Sequence, residues 1–129
     1  MGVEYRNVAG LAEPPGYTHV ALGRGALVFT AGAVPIDEAG NLVGENDVVA
    51  QAERVIANLL EQLQEGGAGP KDVVKTTVYV AGGSHDAQIA VWDVVQRSPI
   101  ASAPSTLLGV ALLGYRGQLV EIEAVAVVD

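Results

Sequence analysis

The run LVEIEAVAVV, residues 119–128, sets two carboxylates, Glu121 and Glu123, two residues apart in an otherwise apolar segment. Side chains of an extended chain alternate between faces, so Val120, Ile122, Ala124, Ala126 and Val128 share one side. Leu119, Glu121, Glu123, Val125 and Val127 share the other. The first face suits packing beneath helices. The second holds carboxylates in apolar company, a setting suited to proton transfer. The plainer alternative is that both acids face solvent.

A second group of candidates lies in SAPSTLLGVALLG, residues 102–114, which turns through Pro104 into an apolar run with Ser105 and Thr106 at its mouth. A hydroxyl becomes a nucleophile only beside a base, and no triad signature accompanies this pair. They read as polar lining or a strand cap. Tyr17 follows EPPG and either presents its hydroxyl to a cleft or anchors the turn. His19 sits beside Val20 and Ala21. With two histidines and no cysteine in the chain, a metal site is poorly supported. GRG at 23–25 and GYRG at 114–117, which carries Arg116, are turn sequences rather than phosphate loops, since neither opens a helix.

The elements that must carry these residues follow from periodicity. VEYRNV reads as a short edge strand, and THVALGRGALVFTAGAVPID as two strands joined by a tight turn at Gly23–Gly25. Asn46 or Asp47 caps a helix whose apolar positions are Val48, Val49, Ala52, Val55, Ile56, Leu59, Leu60 and Leu63, and Gly66-Gly67 stop it. DVVKTTVYVAG is β-branched and reads as a strand. SHDAQIAVWDVVQRS starts a second helix at Ser84, with Ile89, Trp92 and Val95 as its apolar stripe. Strands from about Ser105 to Leu113 and through residues 118–128 complete the chain. The order predicts an α+β layer with two helices across one face of a sheet.

With 129 residues the chain reads as one domain, 1–129. Half of it is hydrophobic while 17% is charged, too little polar surface to cover so small a body, which points to a homo-oligomer. A net charge of −8 with seven scattered basic residues argues against nucleic-acid partners and acidic membrane surfaces. The start of the chain lacks a signal-peptide pattern and no apolar run reaches membrane-span length, so a cytoplasmic protein is expected.

Read together, PGYTHV, VFTAGAVPID, VAQAERVIANLLEQLQEGGAGPKDVVKTTVYV and LVEIEAVAVV resemble the Rid family, also called YjgF or L-PSP endoribonuclease, from about Tyr17 to Val128. The block with Gln51, Asn58, Gly67 and DVVKTTVYV is the most specific part. The resemblance implies a chorismate-mutase-like α+β fold: a mixed six-stranded sheet, two helices on one face, and a homotrimer with small-molecule ligands bound at the subunit interface. It implies no cofactor.

In deaminating members of that family an arginine clamps the substrate carboxylate, a tyrosine and a turn place the ligand, and a glutamate positions water. The resemblance maps the tyrosine to Tyr17 and the glutamate to Glu121. The family's Ser-Gly turn falls on Ala31-Gly32, its asparagine on Ile89, its arginine on Ser105, and a frequent cysteine on Leu107. His19 and Arg116 complete the set of candidate ligand contacts, Arg116 either as a substitute cation or as a solvent-facing turn residue. A carboxylate in a partly dry cleft without a partner costs several kcal/mol, whereas one neutral serine hydrogen bond returns about 1 kcal/mol. Turnover of 2-imino acids is therefore not expected. Three readings remain: a hydrolase of small imines, enamines or related compounds lacking a carboxylate; a non-catalytic metabolite-binding module; and, last, a ribonuclease, which the acidic chain without paired histidines disfavours.

Overall fold

A computed structural model describes residues 2–129. The chain forms β1 (Glu4–Arg6), β2 (Val20–Leu22), β3 (Ala26–Phe29), α1 (Val48–Glu65), a single 3₁₀ turn (Pro70–Asp72), β4 (Val73–Ala81), α2 (His85–Gln96), β5 (Ser105–Val110) and β6 (Val120–Val128). This is the α+β order anticipated from the sequence. The six strands hydrogen-bond as a two-stranded ribbon, β1–β2, and a four-stranded sheet in the order β3-β6-β4-β5, rather than as one continuous sheet. β4 and β5 run parallel, and the other pairs are antiparallel. The chain does reverse around Gly25, whose φ is +141°. Yet β2 pairs with β1 and β3 with β6, so the GRG turn joins two sheets instead of closing a hairpin.

α1 forms because its apolar residues recur at helical spacing, and Ala52, Val55, Ile56, Leu59 and Leu63 are all buried. Asp47 caps it by accepting from the Ala50 N–H at 3.0 Å. At the other end Gly67 takes φ +81°, its N–H donates to Gln64 O and the Ala68 N–H to Leu63 O, a Schellman closure that a side chain at 67 would strain. The helix lies on β6 and α2. In α2 the buried residues are Val91, Val94 and Val95, so the anticipated Ile89–Trp92–Val95 stripe is rotated: Ile89 is 59% exposed.

The core fills the space between the helices and one sheet face, with Val78, Val80, Val120, Ile122, Ala124 and Ala126 beneath Leu59, Leu63, Val91 and Val95. The alternation read along β6 is present, with Val120, Ile122, Ala124 and Ala126 buried and Glu121 and Glu123 half-buried on the opposite side. Two polar side chains among the described residues, Gln51 and Thr76, are almost wholly buried here. Gln51 donates its amide to Gly44 O and Gly117 O, each at 3.0 Å, and accepts from the Leu119 N–H at 2.7 Å. It thereby fixes the loop before α1 and the entry into β6. Gln51→Leu should leave Gly117 O and the Leu119 N–H without this partner, Gly44 O keeping its bond from the Asp47 N–H, and lower stability by about 2–4 kcal/mol. Gln64→Leu, on the exposed side of the same helix, should stay within about 0.5 kcal/mol; urea unfolding of both variants checks this.

Candidate functional site

The candidate residues fall into two clusters, and the pleat of the sheet decides which residue joins which. Ser105 pairs across β4 with Thr76, which pairs with Ala124, so these three point to the helix side. The Thr76 hydroxyl donates to Ser105 Oγ at 2.8 Å on that side. Tyr79 pairs with Leu108 and with Glu121, and these point the other way. On this outer side Lys75 Nζ donates to Thr106 Oγ1 at 2.7 Å, and the Tyr79 hydroxyl donates to Glu123 Oε1 at 2.6 Å.

The helix-side cluster is a recess of about 280 Å³ at the β5 edge, lined by Pro15, Tyr17, Trp92, Ser105 and Leu107. The segment before β2 is strapped across it. Trp92 Nε1 donates to Pro15 O at 3.0 Å, the Gln96 amide donates to the same carbonyl, and Thr18 Oγ1 donates to Ser102 O at 2.8 Å. These ties hold the Tyr17 ring edge-on to Trp92, with centroids 6.0 Å apart, and edge-on to His19 at 6.4 Å. His19 is itself a fastener. Its N–H donates to Asn7 Oδ1, and its Nδ1 accepts from the Val8 N–H at 2.9 Å. With Nδ1 engaged by the Val8 backbone, the ring braces Tyr17 rather than lining the recess.

The second cluster centres on Glu121. Phe29 pairs with Val125, but Ala33 pairs with Ile122. Four steps along one strand thus match three on the other, a bulge that turns Ala31-Gly32 onto β6. A Cβ on Gly32 would lie 2.0 Å from Glu121 Oε2, so only glycine admits the carboxylate there. The Ala31 carbonyl accepts from Gln62 Nε2 at 3.3 Å. Glu121 Oε1 accepts from Gln118 Nε2 at 2.9 Å.

Of the residues named from the sequence, Tyr17, Ser105 and Leu107 thus meet in one recess, with His19 behind them, while Ala31, Gly32 and Glu121 meet in another place on the opposite side of the sheet. Ile89 joins neither, lying exposed on α2. Arg116 lines an open depression with Ala81, Gly82, Leu112, Leu119 and Gln118, away from the Tyr17 recess. Two residues were not foreseen as site residues. Trp92 was read as core, and its place on the recess follows from the rotation of the α2 stripe. Gln118 carries no spacing signal; its role arises from the turn that precedes β6.

Comparison with known proteins places these clusters in context. The family model described as Endoribonuclease L-PSP matches residues 11–128. A RutC family protein of Synechocystis is 37% identical over 117 residues, 88% of each chain. A 2-iminobutanoate/2-iminopropanoate deaminase of Salmonella typhimurium is 39% identical over 56 residues, 43% of each chain. A Yersinia pestis protein of unknown function in the Rid family has the same structure with a TM-score of 0.91 and 31% identity, covering 99% of this chain and 100% of that one.

Tyr79 supplies a pH test of the outer face. Its hydrogen bond to Glu123, burial and the charges of Glu123 and Glu121 all hold its pKa above the ordinary 10.0. A raised pKa means that the bond stabilises the fold below pH 10.0 and is lost as pH climbs through the raised value. Tyr79→Phe should therefore be less stable than the parent by about 1 kcal/mol at neutral pH. The gap should close in strongly alkaline buffer, as followed by urea unfolding across pH.

Proposed function

Because the chain belongs to the Endoribonuclease L-PSP, or Rid, family, we propose that it hydrolyses small uncharged imines or enamines in sites assembled from two copies of the chain. Tyr17, Trp92, Ser105 and Leu107 of one copy form one wall, and Ala31, Gly32 and Glu121 of the next form the other. The observation that carries this reading is the partition of the candidate residues to opposite faces of one sheet. Ser105 and Glu121 of a single chain cannot close on one ligand, whereas two adjoining chains offer both walls.

The outer sheet face supports association. Leu27 and Phe29 of β3 are 60% and 70% exposed, with half-buried Val125 beside Phe29, an apolar patch that a second copy would cover. A homotrimer is the arrangement that the family resemblance implies.

The chemistry follows from the groups at hand. The recess has aromatic and aliphatic walls with two neutral hydroxyl-bearing residues, Tyr17 and Ser105, and no cation among its lining residues, so a neutral ligand enters at lower cost than a carboxylate. Glu121 takes a proton from water as the water oxygen bonds to the C=N carbon and the π pair moves to nitrogen, and it then returns that proton to the nitrogen to give a carbinolamine. Loss of ammonia from that adduct leaves the carbonyl compound. The name of the Salmonella relative supports imines as the reacting class. Ribonuclease activity, named in the family description, is disfavoured by the net charge of −8.

Two imines made in situ by amine or amino-acid oxidases test the proposal: neutral benzaldimine and anionic 2-iminopropanoate. The protein should release ammonia from the first above the spontaneous rate and act poorly on the second. Glu121→Gln should slow turnover on the order of 10²-fold or more, and Ser105→Arg should shift preference toward the anionic imine. Full activity in Glu121→Gln, or a parent protein that prefers 2-iminopropanoate, would overturn it.

A further inference from the structure

Gln118 lies in the turn before β6, is 4% exposed, and uses both ends of its amide. Its Oε1 accepts from the Tyr115 N–H at 3.1 Å, and its Nε2 donates to Val120 O at 3.1 Å and to Glu121 Oε1 at 2.9 Å. Its own N–H donates to Tyr115 O at 3.0 Å, closing the turn reciprocally. The two backbone partners fix which way the amide faces. The Tyr115 N–H can meet only an oxygen, and the Val120 carbonyl can meet only an N–H. A flipped amide would lose both, so Glu121 always meets a donor.

Burial matters as much as orientation. At 4% exposure, water has little access to take over the amide's role. On its far side the carboxylate abuts Gly32, where a side chain would collide with Oε2. Glu121 is therefore held between an amide donor on one oxygen and a bare backbone beside the other.

We infer that Gln118 is a positioning residue for the hydrolytic step, committing Glu121 Oε1 to its amide and leaving Oε2, beside Gly32, to hold and deprotonate the attacking water. The inference rests on the reading of Glu121 as the base. It also ties the geometry of the 114–117 turn to the reacting carboxylate, since the Tyr115 backbone sets the Gln118 amide.

The test uses the full chain with benzaldimine as the probe. Gln118→Met keeps length and volume but removes the donor, and should lower kcat on the order of 10²-fold with KM unchanged, as a misplaced catalytic group does. In a Glu121→Gln background the same change should have no further effect, because the group it aims is gone. Gln118→Asn, whose amide is one methylene too short, should behave like Gln118→Met and serves if that variant does not fold by circular dichroism. An unchanged kcat, a rise in KM alone, or an equal loss in the Glu121→Gln background would overturn the inference while leaving the role of Glu121 intact. Full activity of Glu121→Gln by itself would overturn the reading on which it rests, and the inference with it.

Discussion

Everything in this molecule is arranged around the pleat of β6. The strand lies inside the four-stranded sheet, between β3 and β4, so neither of its edges is free to shift. Its apolar row, Val120, Ile122, Ala124 and Ala126, is buried beneath α1 and α2. A slip of one residue would drive Glu121 and Glu123 into the core and Val120 and Ile122 out of it, so the register is strongly held. The same constraint fixes Glu121 on the face that the helices do not cover. Ser105, two strands away and in register with Thr76, is held on the covered face by the same rule. The separation of the two clusters is thus a property of the core, and no side-chain motion can undo it.

Around that rigid centre, the loops are held by buried amides. Gln51 ties the loop before α1 and the turn before β6. Asn58, two turns further along the same helix, donates to Val34 O at 2.8 Å and Ile36 O at 3.1 Å, pinning the segment that follows the bulge at Ala31-Gly32. Gln118 closes the turn at residue 115 onto Glu121. Amides suit this work because each offers a donor and an acceptor to the unpaired backbone groups of irregular chain, which would be costly to bury otherwise. They also act over short distances and in one orientation, so the loops take one conformation each.

This division explains what could be read from the sequence. α1 was legible because its apolar residues match one period over eighteen residues and its ends carry Asp47 and Gly67. β6 was legible because alternation over nine residues has one solution. The partners of β2 and β3 were not, since glycines at 23 and 25 announce a reversal without saying which strands will pair. In α2, residues 89–92 are all apolar, and such a helix has several candidate stripes. The one buried is selected by packing against α1 and β5, which left Ile89 outside and brought Trp92 to the recess. The members of the candidate site were named by family resemblance, but their sorting into two clusters needed strand register, and Gln118 needed the turn itself.

The character of the recess then follows from what its walls can and cannot solvate. Its one hydroxyl-bearing sheet residue, Ser105, already accepts a hydrogen bond from Thr76, so its own hydroxyl hydrogen is the one it can offer inward. Tyr17 and Trp92 present ring edges and faces, and the Trp92 N–H is spent on Pro15. Such walls favour flat or aliphatic groups and offer an anion neutral hydroxyl donors but no cation. The chain's net charge of −8 adds an unfavourable field for anions approaching from solvent. Arg116, the cation nearest in sequence to Glu121, lines another depression and leaves the recess neutral. Local chemistry and overall charge therefore select in the same direction, toward an uncharged occupant of the recess.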